Sequence, residues 1–371
     1  MGDFTALWQG LLHLTPGAVL MMAVGGLLIY LGVAREYEPV LLIPIGAGAL
    51  LTNLPLSPLV EEGGLLQILY EAGVRTELFP LLIFIGIGAM TDFGPLLERP
   101  RLLLLGAAGQ FGIFGTLLLA LLLGFDIREA ASIGIIGAID GPTSIYVSSL
   151  LAPHLLGAIA VTAYSYMALV PIIQPPIMRA LTTRSQRRIR LPYSERPISR
   201  RTRVLFPILV TTIVGILVPM ATPLIGMLML GNLLRESQVV ERLTKASQNE
   251  IANVVTLFLG LAVGSTMQAA SFLRTETLLI LLLGILAFGL DTAAGVLFAR
   301  FLNWLSRGGL NPLIGAAGIS AFPMAARVAQ KVASEEDFEN FLLMHAMGAN
   351  TAGQIGSVVA GGVVLALFGA G

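Results

Sequence analysis

Two runs without charge set the first limit on what this chain can fold into. Residues 204–234 contain no charged side chain over thirty-one positions, and residues 102–124 offer only Gln110 and Thr116 as clearly polar groups. Each run exceeds the roughly 20 apolar residues that a helix needs to cross the hydrocarbon of a bilayer. The composition agrees: of 371 residues, 56% are hydrophobic and 12% charged, against roughly 25% charged in an ordinary soluble domain. The chain reads as an all-α polytopic membrane protein with about ten crossings by the same length rule. Pro207, Pro219 and Pro223 make the longer run a span followed by a second, broken one.

Net charge is zero, but the charges are segregated, with eight Arg and one Glu between residues 184 and 203. Positive charge in short loops stays on the cytoplasmic side, so this linker is expected to face the cytosol. It divides the chain into a first membrane repeat (1–180), the Arg-rich linker (181–203) and a second membrane repeat (204–371). Its charge suffices as a topology signal, and docking of an acidic soluble partner is the alternative. Residues 1–15, with Asp3, Trp8 and His13, lack a basic n-region and read as an amphipathic lead-in. There is no Cys, which excludes disulfides and thiolate metal sites. No GxxxxGK phosphate loop and no HExxH occur, and the only Lys residues are Lys245 and Lys331. ATP hydrolysis and zinc-protease chemistry are not expected, and the three His residues are too scattered to argue a catalytic zinc.

The two halves carry matching landmarks. Pro44 and Asn53 recur as Pro223 and Asn232, both displaced by 179 positions. Gly88, ahead of Met90-Thr91-Asp92, has a counterpart in Gly264 ahead of Ser265-Thr266-Met267-Gln268; Gly137 and Pro142 match Gly318 and Pro323 at an offset of 181. A duplication accounts for this most simply. Two halves with Gly/Pro-broken apolar segments in corresponding positions point to inverted-topology repeats of the transporter kind, elevator-type in motion, with the site where the broken segments face each other.

The first broken segment, GAIDGPTSI at 137–145, holds Asp140. An acid at bilayer depth costs roughly 2.5–3.5 kcal/mol on insertion scales and marks a function by default. Its counterpart position is Ala321, so the site is expected to be asymmetric. Other polar residues fall in three clusters: Thr91 and Asp92 in GIGAMTDFGPLL; Tyr164, Ser165, Tyr166 and Gln174 in YSYMALVPIIQPP; and Asn350, Thr351, Gln354 and Ser357 in HAMGANTAGQIGS. Together they supply carboxylate, hydroxyl and amide oxygens, which hard cations prefer. Each has a plainer alternative. Thr351 and Ser357 suit close helix packing, Asn350 and Gln354 suit hydrogen bonds to a neighbouring helix, the tyrosines suit an interfacial belt, and Asp92 suits a helix cap.

Taken in order, GIGAMTDFGPLL, GAIDGPTSI, AYSYMALVPIIQPPIM and FLLMHAMGANTAGQIGS resemble the beta subunits of sodium-pumping biotin-dependent decarboxylases, whose members act in oxaloacetate, methylmalonyl-CoA and glutaconyl-CoA decarboxylation. The resemblance implies a membrane subunit in the bacterial cytoplasmic membrane. This subunit decarboxylates carboxybiotin carried on a partner, exports sodium ions and consumes a proton from the outer side. It also implies a carboxyltransferase and biotin-carrier subunit, a small single-span subunit, homo-oligomeric assembly among membrane lipid, and no nucleic acid. By motif match, Asp140 and Tyr166 are the catalytic, ion- and proton-handling pair, with Tyr164 the competing tyrosine; Asn350, Thr351, Ser357 and Thr91 join Asp140 as sodium ligands. A sodium-coupled carboxylate symporter or cation antiporter without chemistry is the alternative. A purely structural anchor would leave Asp140 without a reason.

Overall fold

A computed structural model describes residues 8–192, 198–307 and 309–369, and every regular element among them is helical. The expected lead-in is therefore described only from Trp8, and part of the Arg-rich linker lies outside the described residues. In chain order the first half comprises α1 (Pro16–Arg35), α2 (Pro39–Thr52), α3 (Leu78–Met90), α4 (Leu103–Ala108), α5 (Phe111–Leu122), α6 (Ile127–Gly134), α7 (Gly141–Leu151), α8 (Leu156–Ala168) and α9 (Val170–Leu181). The second comprises α10 (Arg200–Leu217), α11 (Thr222–Ser237), α12 (Ala252–Ser265), α13 (Thr275–Leu305), α14 (Met324–Glu336) and α15 (Leu343–Phe368). Helix starts follow local chemistry. Thr15 accepts from the Ala18 N–H at 3.1 Å with Pro16 at the first helical position, and Asp126 and Glu129 close a capping box on α6.

Four stretches are long and apolar enough to cross a membrane alone: Pro16–Arg35, Pro100–Leu122, Thr275–Leu305 and Leu343–Phe368. Two more arise from bent pairs, Leu65–Val74 with Leu78–Met90 at 65° and Pro153–Met167 with Val170–Leu181 at 66°. Long apolar helices, counted with the bent pairs, thus number up to six among the described residues, fewer than the ten crossings, some of them interrupted, expected from apolar length. The difference lies in helix breaks: α2 and α12 have 14 residues each, about 21 Å at 1.5 Å per residue, short of a full crossing. The proline-containing run at 204–234 splits as expected, α10 ending at Leu217 and α11 starting at Thr222.

The halves hold each other reciprocally. α2 packs on α12 of the second half, and α11 of the second half packs on α3 of the first. Asn53 donates to the Met267 carbonyl at 2.8 Å just past α12, and Asn232 donates to the Thr91 carbonyl at 3.2 Å just past α3. Backbones touch where these helices cross. A Cβ on Gly88 would lie 1.8 Å from the Leu228 carbonyl oxygen, and one on Gly264 would lie 2.2 Å from that of Ile45. The paired landmarks of the sequence are therefore paired contacts, which small residues at membrane helix crossings allow.

Candidate cation site

Between α6 and α7 the chain makes a 3-10 turn over Ile135–Ala138, passes through Ile139 in a left-handed conformation and reaches Asp140 extended. Asp140 is the N-cap of α7: its Oδ1 accepts from the Thr143 N–H at 3.1 Å, while Pro142 starts the helix. A capping carboxylate at a helix N-terminus is favoured by the aligned peptide dipoles. The second half breaks in the corresponding place. Asn311 caps a 3-10 turn over Pro312–Ala317, and the chain runs through Ser320 and a cis Phe322–Pro323 bond into α14.

The two breaks meet. The Ser320 N–H points to the Ala138 carbonyl at 3.4 Å, and the Ser320 hydroxyl lies 3.2 Å from Asp140 Oδ2. From α15, Ser357 reaches the same oxygen at 2.7 Å and stands 2.8 Å from Ser320 Oγ. Ser357 Oγ is also 3.0 Å from the Gln354 carbonyl. Two hydroxyl protons serve these contacts, so lone pairs remain in the triangle formed by Asp140, Ser320 and Ser357. Asp140 is only 3% exposed.

Two other buried oxygens on the same elements, Thr143 Oγ1 and Asn350 Oδ1, have no hydrogen-bond partner among the described residues. Asn350 uses its amide N–H on the Ile319 carbonyl at 2.6 Å, one residue before Ser320. A carboxylate, two hydroxyls and further oxygens lacking donors suit a hard cation in chemical type.

A family model described as the Na+-transporting oxaloacetate decarboxylase beta subunit matches residues 17–368. The chain belongs to this family. It is 53% identical to the methylmalonyl-CoA decarboxylase subunit beta of Propionigenium modestum, with 97% of each chain covered. It is 51% identical to the glutaconyl-CoA decarboxylase subunit beta of Acidaminococcus fermentans, covering 97% of this chain and 96% of that one. Against the oxaloacetate decarboxylase beta chain of Klebsiella pneumoniae the figures are 49%, 98% and 99%.

In this member of the decarboxylase beta-subunit family, the remaining expected residues distribute as follows. Tyr164 and not Tyr166 lies against the Asp140 segment: a Cβ on Gly141 would fall 2.0 Å from the Tyr164 ring, and the Tyr164 hydroxyl is buried without a partner among the described residues. Tyr166 donates to the Leu281 carbonyl of α13 at 2.7 Å and meets the Phe288 ring edge-on. Thr91 donates to Ile87 of its own helix at 2.7 Å and Thr351 to Gly348 at 3.0 Å, contacts that tie both hydroxyls into helix backbone. Asp92, Glu236, Arg203 and Arg235 form a loose ion-pair group, with N–O distances of 3.5–3.7 Å.

Two residues escaped the sequence reading. Ser320 falls one position before Ala321, the counterpart assigned to Asp140, and a lone Ser among Gly and Ala gives little signal. Asp291 stands in an apolar run much as Asp140 does but without a Gly-Pro break beside it. It is fully buried midway along α13, and its Oδ1 accepts from the Gly112 N–H of α5.

The described part of the Arg-rich linker is tied to the second half by hydrogen bonds. Arg187 is buried and binds Glu336 through two nitrogens, at 2.6 and 2.9 Å, and Arg190 binds Asp337 at 2.7 and 2.9 Å. Asn311 and Asn340 both donate to the linker carbonyls of Arg187 and Ile189. Hydrogen bonds from Arg187 and Arg190 hold the Glu336 and Asp337 carboxyls below their ordinary range. Near this end a cavity of about 880 Å³ opens between Arg99, Arg101, Leu191, Leu302, Leu310 and His345.

Proposed function

We propose that this chain is the membrane subunit of a decarboxylase sodium pump, decarboxylating carboxybiotin presented by a partner subunit and exporting sodium with consumption of an external proton. The observation that carries the reading is Asp140 Oδ2, shared by Ser320 and Ser357 where the two broken segments touch. Sodium is the cargo. Asp140, Ser320 and Ser357 would bind it, with Asn350 and Thr143 adding oxygens from the same elements. Thr91 and Thr351 donate their hydroxyl protons to their own helix backbone and keep oxygen lone pairs, so in this reading they remain sodium ligands.

A sodium ion and a proton exclude each other at one buried carboxylate, since either neutralises it and a second positive charge is repelled at low dielectric. This exclusion supplies the coupling. In this reading Tyr166 handles the proton, acting through its link from α8 to α13, and Tyr164, which lies against the Asp140 segment, is the competing tyrosine. Inverted-topology halves moving in an elevator-like manner fit the reciprocal packing of α2 on α12 and α11 on α3, which leaves α6, α7, α14 and α15 around the site.

The biotin carrier would approach from the cytoplasm, where the linker lies in this reading, and the cavity lined by Arg99, Arg101 and Glu98 offers two positive charges against one negative to the anionic carboxybiotin. Removal of water from that anion favours loss of carbon dioxide. Partners are the carboxyltransferase and biotin-carrier subunits and a small single-span subunit, with several copies of this chain in the cytoplasmic-membrane assembly.

The deciding experiment measures carbon dioxide release from carboxybiotin by the purified membrane assembly, with and without sodium, for the native chain and Asp140→Asn. Sodium-stimulated release that vanishes in the variant is expected. Sodium binding and carboxylate uptake without any release would replace the pump with a symporter.

A further inference from the structure

Asp291 has chemistry that the sodium site leaves unused. α13 is 31 residues long, about 46 Å at 1.5 Å per residue, and Asp291 lies at its middle with no exposed surface. Oδ1 accepts from the Gly112 N–H in the first turn of α5, and Oδ2 has no hydrogen-bond partner among the described residues. The approach requires glycine: a Cβ on Gly112 would lie 2.2 Å from Oδ1. Asp291 and Gly112 stand 179 positions apart, the offset of the duplication, as Asp140 and Ser320 stand 180 apart.

No cationic side chain faces it closely along the sequence of the packing elements. α4, α5 and the two 3-10 turns, 135–138 and 312–317, contain no titratable residue. α6 has Arg128 and Glu129 in its first turn, α8 has Tyr164 and Tyr166, and α9 has Arg179, which is paired with Glu335. Along α13 itself, Glu276 lies near one end and Arg300 near the other, the latter donating to the Leu181 carbonyl. Asp140 follows the 135–138 turn.

A buried charge with one donor costs several kcal/mol, whereas an unpaired neutral hydroxyl costs about 1–3 kcal/mol. A sodium ion needs several oxygens around it, whereas a proton needs only one atom, and Asp291 Oδ2 has no hydrogen-bond partner among the described residues. A backbone cap alone would be served as well by Asn, without an ionisable group at membrane depth.

The site is also connected. Two residues before Gly112, Gln110 reaches the carbonyls of Gly106, Gly318 and Gly353 at 3.0–3.5 Å. Gly318 belongs to the same break as Ser320. The start of α5 thus lies between Asp291 and the second broken segment.

We propose that Asp291 is a second cation position, specific for a proton: an O–H bond forms on Oδ2 as a proton enters from water and breaks as it leaves, the residue alternating between neutral acid and carboxylate. Its place in transport rests on the pump reading above; the proton site itself does not. Infrared spectra of the full assembly in lipid, recorded across pH with and without sodium, test the site without turnover. The native assembly should show a protonated-carboxyl band at neutral pH that is insensitive to sodium, absent in Asp291→Asn and shifted in Asp291→Glu. A spectrum unchanged by Asp291→Asn, or abolition by sodium of the band that Asp291→Asn removes, overturns the proposal; a sodium-sensitive band that persists in Asp291→Asn belongs to Asp140.

In transport assays Asp291→Asn should reduce proton-coupled sodium export about 100-fold, the scale of losing an acid–base group, while the sodium concentration for half-maximal rate stays the same. Native rate and native pH profile in Asp291→Asn would make it a helix cap only. Loss of the pump reading would remove the transport result but leave the infrared result standing.

Discussion

The two broken segments occupy matching places and do different work. The first, 127–151, brings a carboxylate to a helix N-cap; the second, 311–336, brings a hydroxyl to that carboxylate and has its far end clamped by Arg187 and Arg190. The two breaks thus bring one charged partner and one neutral partner to a shared junction. Two facing carboxylates would repel and raise the cost of the empty site, whereas a carboxylate facing hydroxyls can be empty, protonated or metal-bound at tolerable cost.

The comparison breaks most sharply if its charge is moved. Asp140→Asn should bring sodium export and sodium-stimulated decarboxylation below about one per cent of the native rate, the scale expected for a group acting in the reacting step; full coupled activity in vesicles would exclude Asp140 from the site. The neutral side is tested by Ser320→Ala and Ser357→Ala. Each removes a hydroxyl worth about 1.5–3 kcal/mol beside a charge, so the sodium concentration for half-maximal rate should rise roughly 10- to 100-fold. If Ser357→Ala shifts it and Ser320→Ala does not, the second segment is a bystander.

The clamp gives the next contrast. Glu336 and Asp337 have ordinary values of 4.5 and 3.8 and are lowered when folded, so their stabilisation is complete above about pH 5 and lost as pH falls through the lowered values. Thermal unfolding of the native chain should therefore weaken between about pH 5 and 3 more than that of Arg187→Ala, which lacks the pair with Glu336. Equal slopes would show that the clamp carries no linked protons. Tyr166→Phe is the mildest change, removing one hydrogen bond to Leu281 worth about 1 kcal/mol. A small loss of rate with an unaltered pH profile would leave the hydroxyl as a strut between α8 and α13, and a displaced pH profile would give it a proton.

The sequence was most informative where a physical cost stood out. Asp140 is an acid in an apolar run, and Asn53 and Gly88 recur as Asn232 and Gly264 at offsets of 179 and 176, so the candidate carboxylate stood out and the crossings between halves could be located. Hydroxyls were harder to place. Ser357 does meet Asp140, but Thr91 and Thr351 turn back to their own helices, and nothing in a Ser or Thr residue says which carbonyl its proton will choose. Apolar length does not tell where a helix will break, so α2 and α12 come out shorter than the apolar runs that contain them. Tyr164 and Tyr166 differ by about 200° around a helix of 3.6 residues per turn, so they face different neighbours despite being two positions apart.

The reciprocal grip of the two halves also bears on how the protein is made. α2 ends at Thr52, and its partner α12 begins at Ala252, about 200 residues later. At roughly 5–20 residues per second, a ribosome needs on the order of 10 to 40 seconds to deliver that partner. During this interval the glycine-lined face of α2 has only lipid, or an insertion chaperone, to rest against. Biogenesis of this chain therefore has an obligatory waiting stage, and slowing translation between the halves should lengthen the time in which the first half is open to proteolysis.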